Sequence, residues 1–429
     1  MDIRHSSRFS TDLTTWKALY PDSSTTPADQ LLGMVLAQFD QFREEFSAYF
    51  ENTTSETQFV SAKTTPNRLR AQVLNTLDQY WTPLGRVAEQ RQIKQYRDLL
   101  DQGTEMARKY LARLGLDLPG ALVYFDKVTT IQRYPYTNIP FIGIPYYVMK
   151  SPGQNTGEPS ESPERDWMGV AHEIGHYVYW NLKGDPTALL KHHKEIKQGA
   201  EEVLKQFLQG QQISADQSEA LIAMLLPWQE EIFADILGTQ LGEKEFICSL
   251  QTIIECSAGN ADDLMQDDGI HPILYLRAWV REEALNPNGN SSRWDDFFKS
   301  QFKISEETLP EITIRRPINQ QTIEAMTQEN LLTFLKATTP NAPTEVTEFL
   351  SVKIPTHIAK AAIKKLVGYL RNYSPSAFKR LLSLAEQDNP AEPHSALLRP
   401  RIMEGGEQHS HYCLGHFPPE WHEHPAHNH

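Results

Sequence analysis

Residues 166–180 read DWMGVAHEIGHYVYW, and no other stretch constrains the fold of this 429-residue chain as strongly. Trp167, Val170, Ala171, Ile174, Val178 and Tyr179 recur at helical spacing, so the segment is expected to be a helix that is apolar over most of its surface. A helix of that kind belongs inside a core, and it takes His172, Glu173 and His176 in with it. The two histidines are four positions apart and leave one face, with Glu173 directly after the first. An H-E-x-x-H helix can grip a divalent metal through its imidazoles while holding a carboxylate beside the open coordination position.

A catalytic zinc site uses three protein ligands and leaves one position open, so a third donor has to come from elsewhere. The segment WQEEIFADILGTQLG begins directly after Pro227, which puts Glu230, Glu231 and Asp235 in the first two turns of a fresh helix. Glu231 and Asp235 are four apart and share a face. Glu231 can therefore bind the metal while Asp235 accepts a hydrogen bond from the distal ring nitrogen of a liganding histidine, fixing its tautomer. Glu230 is the rival ligand, but four residues beyond it stands Ala234, so the pairing selects Glu231. Acidic residues at a helix start also complement the helix dipole without any metal.

His172-Glu173-x-x-His176 followed by Glu231-x-x-Ala234-Asp235-x-x-Gly238 resembles the gluzincin clan of zinc metallopeptidases, to which thermolysin belongs. The resemblance covers roughly residues 121–285. It implies a zincin-like core with one catalytic zinc ion held by His172, His176 and Glu231. It further implies Glu173 as general base and proton carrier, and a peptide bond in a protein or peptide as substrate. The stretch DDGIHPILYLR at 267–277 is similar to a His-Pro followed by Arg in several such peptidases. There His271 would donate to the oxyanion of the tetrahedral intermediate, an interaction worth about 3 kcal/mol of barrier, with Tyr275 as the competing donor. Arg277 would bind substrate or brace the site, and His271 also fits a helix-cap role. The contrasting expectation is a helical interaction or scaffold protein with a structural or vestigial zinc site. Glu173 favours the enzyme, because a purely structural site has no use for an unliganded carboxylate there.

Around these motifs the pattern is mainly α with a small β-sheet. Residues 1–118 read as an N-terminal helical unit, with helices expected from Pro27 to about Phe50, at 67–81 and at 86–115. The β-branched and aromatic runs LVYFDKVTTIQRY and IPFIGIPYYVM carry the one convincing strand signal. The strand at 141–149 could offer an exposed edge to an extended substrate, with Gly143 permitting close approach. Residues 151–165 hold three prolines and read as a surface loop, and a turn-rich break at 284–293 closes a catalytic segment of 119–288. Further helices are expected at 186–209, 215–242, 245–257 and 272–285, with a break at Pro227. Residues 289–390 read as a C-terminal helical unit whose most regular piece, 358–373, is a packed helix with a solvated basic face rather than a membrane-surface helix. The segment 391–429 carries seven histidines among its last twenty-one residues and is expected to be a flexible tail.

The net charge of -14 argues against nucleic acid and anionic membranes as partners. No signal-like or membrane-spanning apolar run is found, and three cysteines are too few for a disulfide framework. A soluble protein of a reducing, cytoplasmic compartment is the expectation.

Overall fold

The structure, a computed structural model, describes residues 10–21, 26–55, 66–115, 120–127, 129–132, 134, 136–145, 168–180, 186–266, 271–287, 293–317 and 349–373. They are mostly helical, with two small sheets. They divide into two compact units, one ending at Gly184 and the other lying within Asp185–Ala377. This division falls inside the expected 119–288 segment, so the HEIGH helix closes the first unit and EEIFAD belongs to the second. The expected loop at 151–165 and the histidine-rich tail lie outside the described residues.

The first unit opens with α1 (Ser10–Leu19) and α2 (Pro27–Ser55), followed by α3 (Pro66–Gln90) and α4 (Lys94–Arg113). α1 is an addition to the sequence reading, anchored by buried Leu13. The expected break between 81 and 86 is absent, because α3 runs through Pro83. A proline inside a helix costs about 3 kcal/mol. Against that, Leu77, Tyr80, Trp81, Leu84, Val87 and Ala88 form one unbroken buried stripe, and each large side chain buried there returns about 1.5–3 kcal/mol. Burial outweighs the lost hydrogen bond. The chain turns instead at Arg91, whose fully buried guanidinium is held by Asp29 at 2.8 Å and Asp101 at 2.5 Å.

Three strands follow: β1 (Leu122–Asp126), β2 (Thr130–Gln132) and β3 (Phe141–Pro145). β3 lies in the middle, parallel to β1 and antiparallel to β2. The expectation of an exposed substrate-pairing edge at 141–149 is therefore corrected over Phe141–Pro145, where both ladders of β3 are already taken. Gly143 sits between Tyr124 and Thr130. A Cβ on Gly143 would lie 2.7 Å from Thr130 Cγ2 and 3.1 Å from Asp126 Cβ, so the glycine serves sheet packing and not the approach of a substrate. On one side of the sheet, Phe39, Phe42, Tyr80, Trp81, Tyr134, Tyr136 and Phe141 form an aromatic core, with Tyr134 and Phe141 edge to face at 5.0 Å. Burial pushes the Tyr134 and Tyr136 hydroxyls well above the ordinary tyrosine range. α5 (Met168–Trp180) packs on β2, β3 and α4.

The second unit contains α6 (Pro186–Gln209), α7 (Ala215–Leu225), α8 (Gln229–Ser257), α9 (Leu274–Leu285), α10 (Arg293–Phe302), β4 (Glu311–Pro317), β5 (Phe349–Pro355) and α11 (Thr356–Leu370). α7 is opened by a capping box in which the Ser214 hydroxyl accepts from the Gln217 amide at 3.2 Å. The chain breaks around Pro227 as its sequence predicts, and α8 kinks at Glu243 with φ 49°. α11 is central to the unit, with α6, α8, α9 and β5 packed around it and Ile358, Ile363, Leu366 and Val367 buried. Its basic face is only partly solvated. Lys360 turns inward to Asp295 and Glu306, each at 3.2 Å, with its ammonium 4.2 Å from the Trp279 ring.

The β4–β5 pair corrects the all-helical reading of 289–390. Ile312 opposes Ile354 and Ile314 opposes Val352, and the inward residues Ile312, Ile314 and Ile354 alternate with exposed ones. That period of two is short and bounded by prolines, which hid it. No described helix is long and apolar enough to cross a membrane.

Candidate functional site

α5 is a short helix in which every residue from Val170 to Tyr179 is buried, its polar trio included. Its first turn abuts Thr129, so closely that a Cβ on Gly169 would lie 2.8 Å from Thr129 Cγ2. Its middle is tied down by the Tyr177 hydroxyl, which donates to the Asn138 carbonyl at 2.5 Å. These contacts fix the rotation of the helix, and with it the direction of His172 and His176. The two histidines are only 9 % and 4 % exposed, and their Nε2 atoms are 3.1 Å apart. Two nitrogens on a tetrahedral zinc at the usual bond length would be about 3.3 Å apart. The spacing therefore fits a shared metal, and in its absence it also fits one ring donating to the other. The rings stand edge to face, and Trp180 lies against His176 one turn further on, with centroids 5.8 Å apart.

Glu173 is buried beside this pair. Its charge is felt on the sheet. Burial first, then Asp126, with Glu173 adding to them, lift the Tyr124 hydroxyl above its usual range. Two imidazoles on one helix face, close enough to share an ion and with a carboxylate beside them, are the donor types that a divalent metal takes. The donor set of α5 thus suits a divalent cation.

In the second unit the first turns of α8 present Glu231 and Asp235 from one buried face, while Glu230 is only half-buried. Asp235 is completely enclosed by two arginines of α9. Arg277 donates from Nε to its Oδ2 at 2.7 Å, and Arg281 approaches its Oδ1 at 2.9 Å. Arg277 also extends toward Glu231 Oε2 at 3.6 Å, and His271 Nε2 lies 3.7 Å from Glu231 Oε1. The structure therefore gathers Glu231, Asp235, His271 and Arg277 into one charged cluster. Arg277 thus lies between the Asp235 and Glu231 carboxylates.

Tyr275 does not join that cluster. It is 1 % exposed, its ring packs on Phe298 at 4.9 Å, and the Lys360 ammonium lies 5.4 Å above it. Burial raises its hydroxyl above the ordinary range, and Lys360 partly opposes this. Between the two candidate donors, only His271 keeps company with Glu231, and its side chain is 44 % exposed and so open to a ligand.

Arg281 escaped the sequence reading. Its signal was present, because Arg277 and Arg281 are four apart and must leave one face of α9. The guanidinium is buried, donates to the Phe246 carbonyl at 2.9 Å and lies 3.8 Å from the Phe246 ring centroid. Burial pushes it down to about 10 while Asp235 pulls it up, so it is charged at neutral pH. Gly238 makes this possible, because a Cβ there would run into the Phe246 ring. Arg293 Nη2 lies 3.3 Å from the Cys248 sulfur. Comparison of the chain with protein-family models, with curated proteins and with solved structures finds no match in any of the three.

Proposed function

We propose that this chain is a zinc-dependent peptidase of gluzincin type with a zincin-like core, acting on protein or peptide substrates in a reducing compartment. The observation that carries the reading is the buried histidine pair of α5, with Nε2 atoms 3.1 Å apart and Glu173 buried beside them. His172, His176 and Glu231 are the residues that would hold the ion, two imidazoles and a carboxylate being a group that could bind a metal. When bound, zinc supplies Lewis acidity, polarising a carbonyl and making water acidic near neutral pH.

The remaining chemistry belongs to the protein. Glu173 accepts a proton from the water that attacks the peptide carbonyl carbon and delivers it to the amine nitrogen as the C–N bond breaks. His271 donates from Nε2 to the oxygen that becomes negative. Arg277, held by Asp235, orients Glu231. The net negative charge argues against nucleic acid as the substrate.

The test combines metal content with cleavage of a proteome-derived peptide library, using the full chain and its Glu173→Gln, His172→Ala and Glu231→Ala variants. Wild type and Glu173→Gln should retain one more zinc per chain than the other two, and only wild type should cut. Because the tail is common to all four, metal bound by its histidines cancels in the comparison. Cleavage by Glu173→Gln, or equal zinc in all four, would overturn the reading.

A further inference from the structure

Asp235, Phe246 and Ser249, which Arg281 meets, all lie on α8, and they fall on both sides of its kink. Asp235 precedes Glu243, whereas Phe246 and Ser249 follow it, with the Ser249 hydroxyl 3.5 Å from Arg281 Nη1. A single guanidinium of α9 therefore staples the two halves of the bent helix. It does so with its planar fork and not just its charge. One edge meets the Asp235 carboxylate, Nη1 meets the Phe246 carbonyl, and the flat face rests on the Phe246 ring.

We infer that Arg281 is a positioning residue for the metal ligand Glu231, acting through Asp235 and Arg277 from a seat that Phe246 provides. The inference rests on the zinc reading given above. Arg281 and Arg277 share Asp235 Oδ1, Arg277 Nη2 donating to it at 3.1 Å while its Nε takes Oδ2 at 2.7 Å, and that same Nη2 lies 3.6 Å from Glu231 Oε2. Without Arg281 the buried Asp235 charge has one cation fewer, and Arg277 is drawn onto it and away from Glu231. The ligand then loses its orienting neighbour, although nothing in contact with the metal has been altered. Side chains that orient ligands in this indirect way typically change metal affinity by about 10–100-fold. Gly238 and the bend at Glu243 acquire a purpose in the same chain, because together they admit the Phe246 ring that carries the guanidinium.

The experiment measures zinc affinity by competition with a chromophoric chelator, and the visible spectrum of the cobalt-substituted protein, for the full chain and four variants. Arg281→Lys keeps the charge and loses the fork; it should weaken zinc about tenfold and alter the cobalt spectrum. Phe246→Leu removes the platform, leaves the guanidinium in place, and should shift both readouts in the same direction by less. Ile363→Val destabilises the same unit from α11 without touching this chain of contacts and should leave both readouts unchanged. Wild-type affinity and spectrum in a folded Arg281→Lys would overturn the inference. Should that variant not fold, wild-type values in Phe246→Leu would overturn it equally. His172→Ala is the control for the underlying reading: if it binds zinc as wild type does, the zinc site itself is wrong and this inference falls with it.

Discussion

His271 and Tyr275 are four residues apart, the first ahead of α9 and the second in its first turn, and the structure gives them different neighbours. His271 faces Glu231, whereas Tyr275 is enclosed by Phe298 and Lys360. The two should therefore respond differently to truncation. His271→Ala is expected to lower kcat by about 10²–10³ with zinc content unchanged, as loss of an oxyanion donor does. Tyr275→Phe should leave kcat alone and cost about 1 kcal/mol of stability, the worth of one buried hydrogen bond. Steady-state kinetics with denaturant melts separate these outcomes, and equal kcat values for wild type and His271→Ala would remove His271 from the reaction. At this scale the sequence was informative wherever a spacing carried chemistry. His172, Glu173 and His176 could be named because H-E-x-x-H has few other uses, and Glu231 was preferred to Glu230 because only it has an acidic residue one turn on. Arg281 was not named. Its importance depends on where the Phe246 ring lies, and that follows from a bend in α8 and not from any local pattern.

Elements were legible where their period was long and their breaks were simple. The helices at 186–209 and 215–225 and the interruption at Pro227 follow from periodicity and one proline. Pro83 misled for the opposite reason, since tertiary burial of one apolar stripe overrode a local breaker. Strand order was not legible at all: nothing in FIGIP says that it lies between two partners, and so its edge character was misjudged. The middle position gives a prediction. Gly143→Ala forces a methyl against Thr130 and Asp126 and should cost about 1–3 kcal/mol in a denaturant melt. A neutral result would mean that β3 has room beside it after all. The kink of α8 gives another. Glu243 has φ 49° and ψ -130°, a conformation that glycine adopts freely and that costs other residues about 1–3 kcal/mol. Glu243→Gly should accordingly raise stability by about 1 kcal/mol, and a drop in the denaturant midpoint would show that the bend is held at no strain.

Each of the two units buries groups whose protonated form folding favours, and this dictates how the molecule as a whole responds to alkali. In the first unit, burial raises Tyr134 and Tyr136 well above the ordinary tyrosine value of 10.0. In the second, burial raises Tyr275; burial also opposes the charge on Lys360, but Tyr275, Asp295 and Glu306 outweigh it and leave its ammonium above the usual lysine range. A group whose folded pKa exceeds its unfolded one binds more protons in the native state, so its stabilisation is complete below the unfolded value and fades above it. Stability should therefore be flat from about pH 8 to about pH 10 and then fall by about 1.4 kcal/mol per pH unit for each such tyrosine, up to its folded pKa. The fall ought to be common to both units, since each has its own contributors. Replacing Tyr134 and Tyr136 by Phe removes the first unit's share and should flatten the slope between about pH 10 and about pH 12 by about two protons' worth. Tyrosinate absorbance supplies the internal check. These phenols should ionise only as the chain unfolds, and absorbance that rises fully before the denaturation transition would show that they titrate in the native state and contribute nothing to the slope.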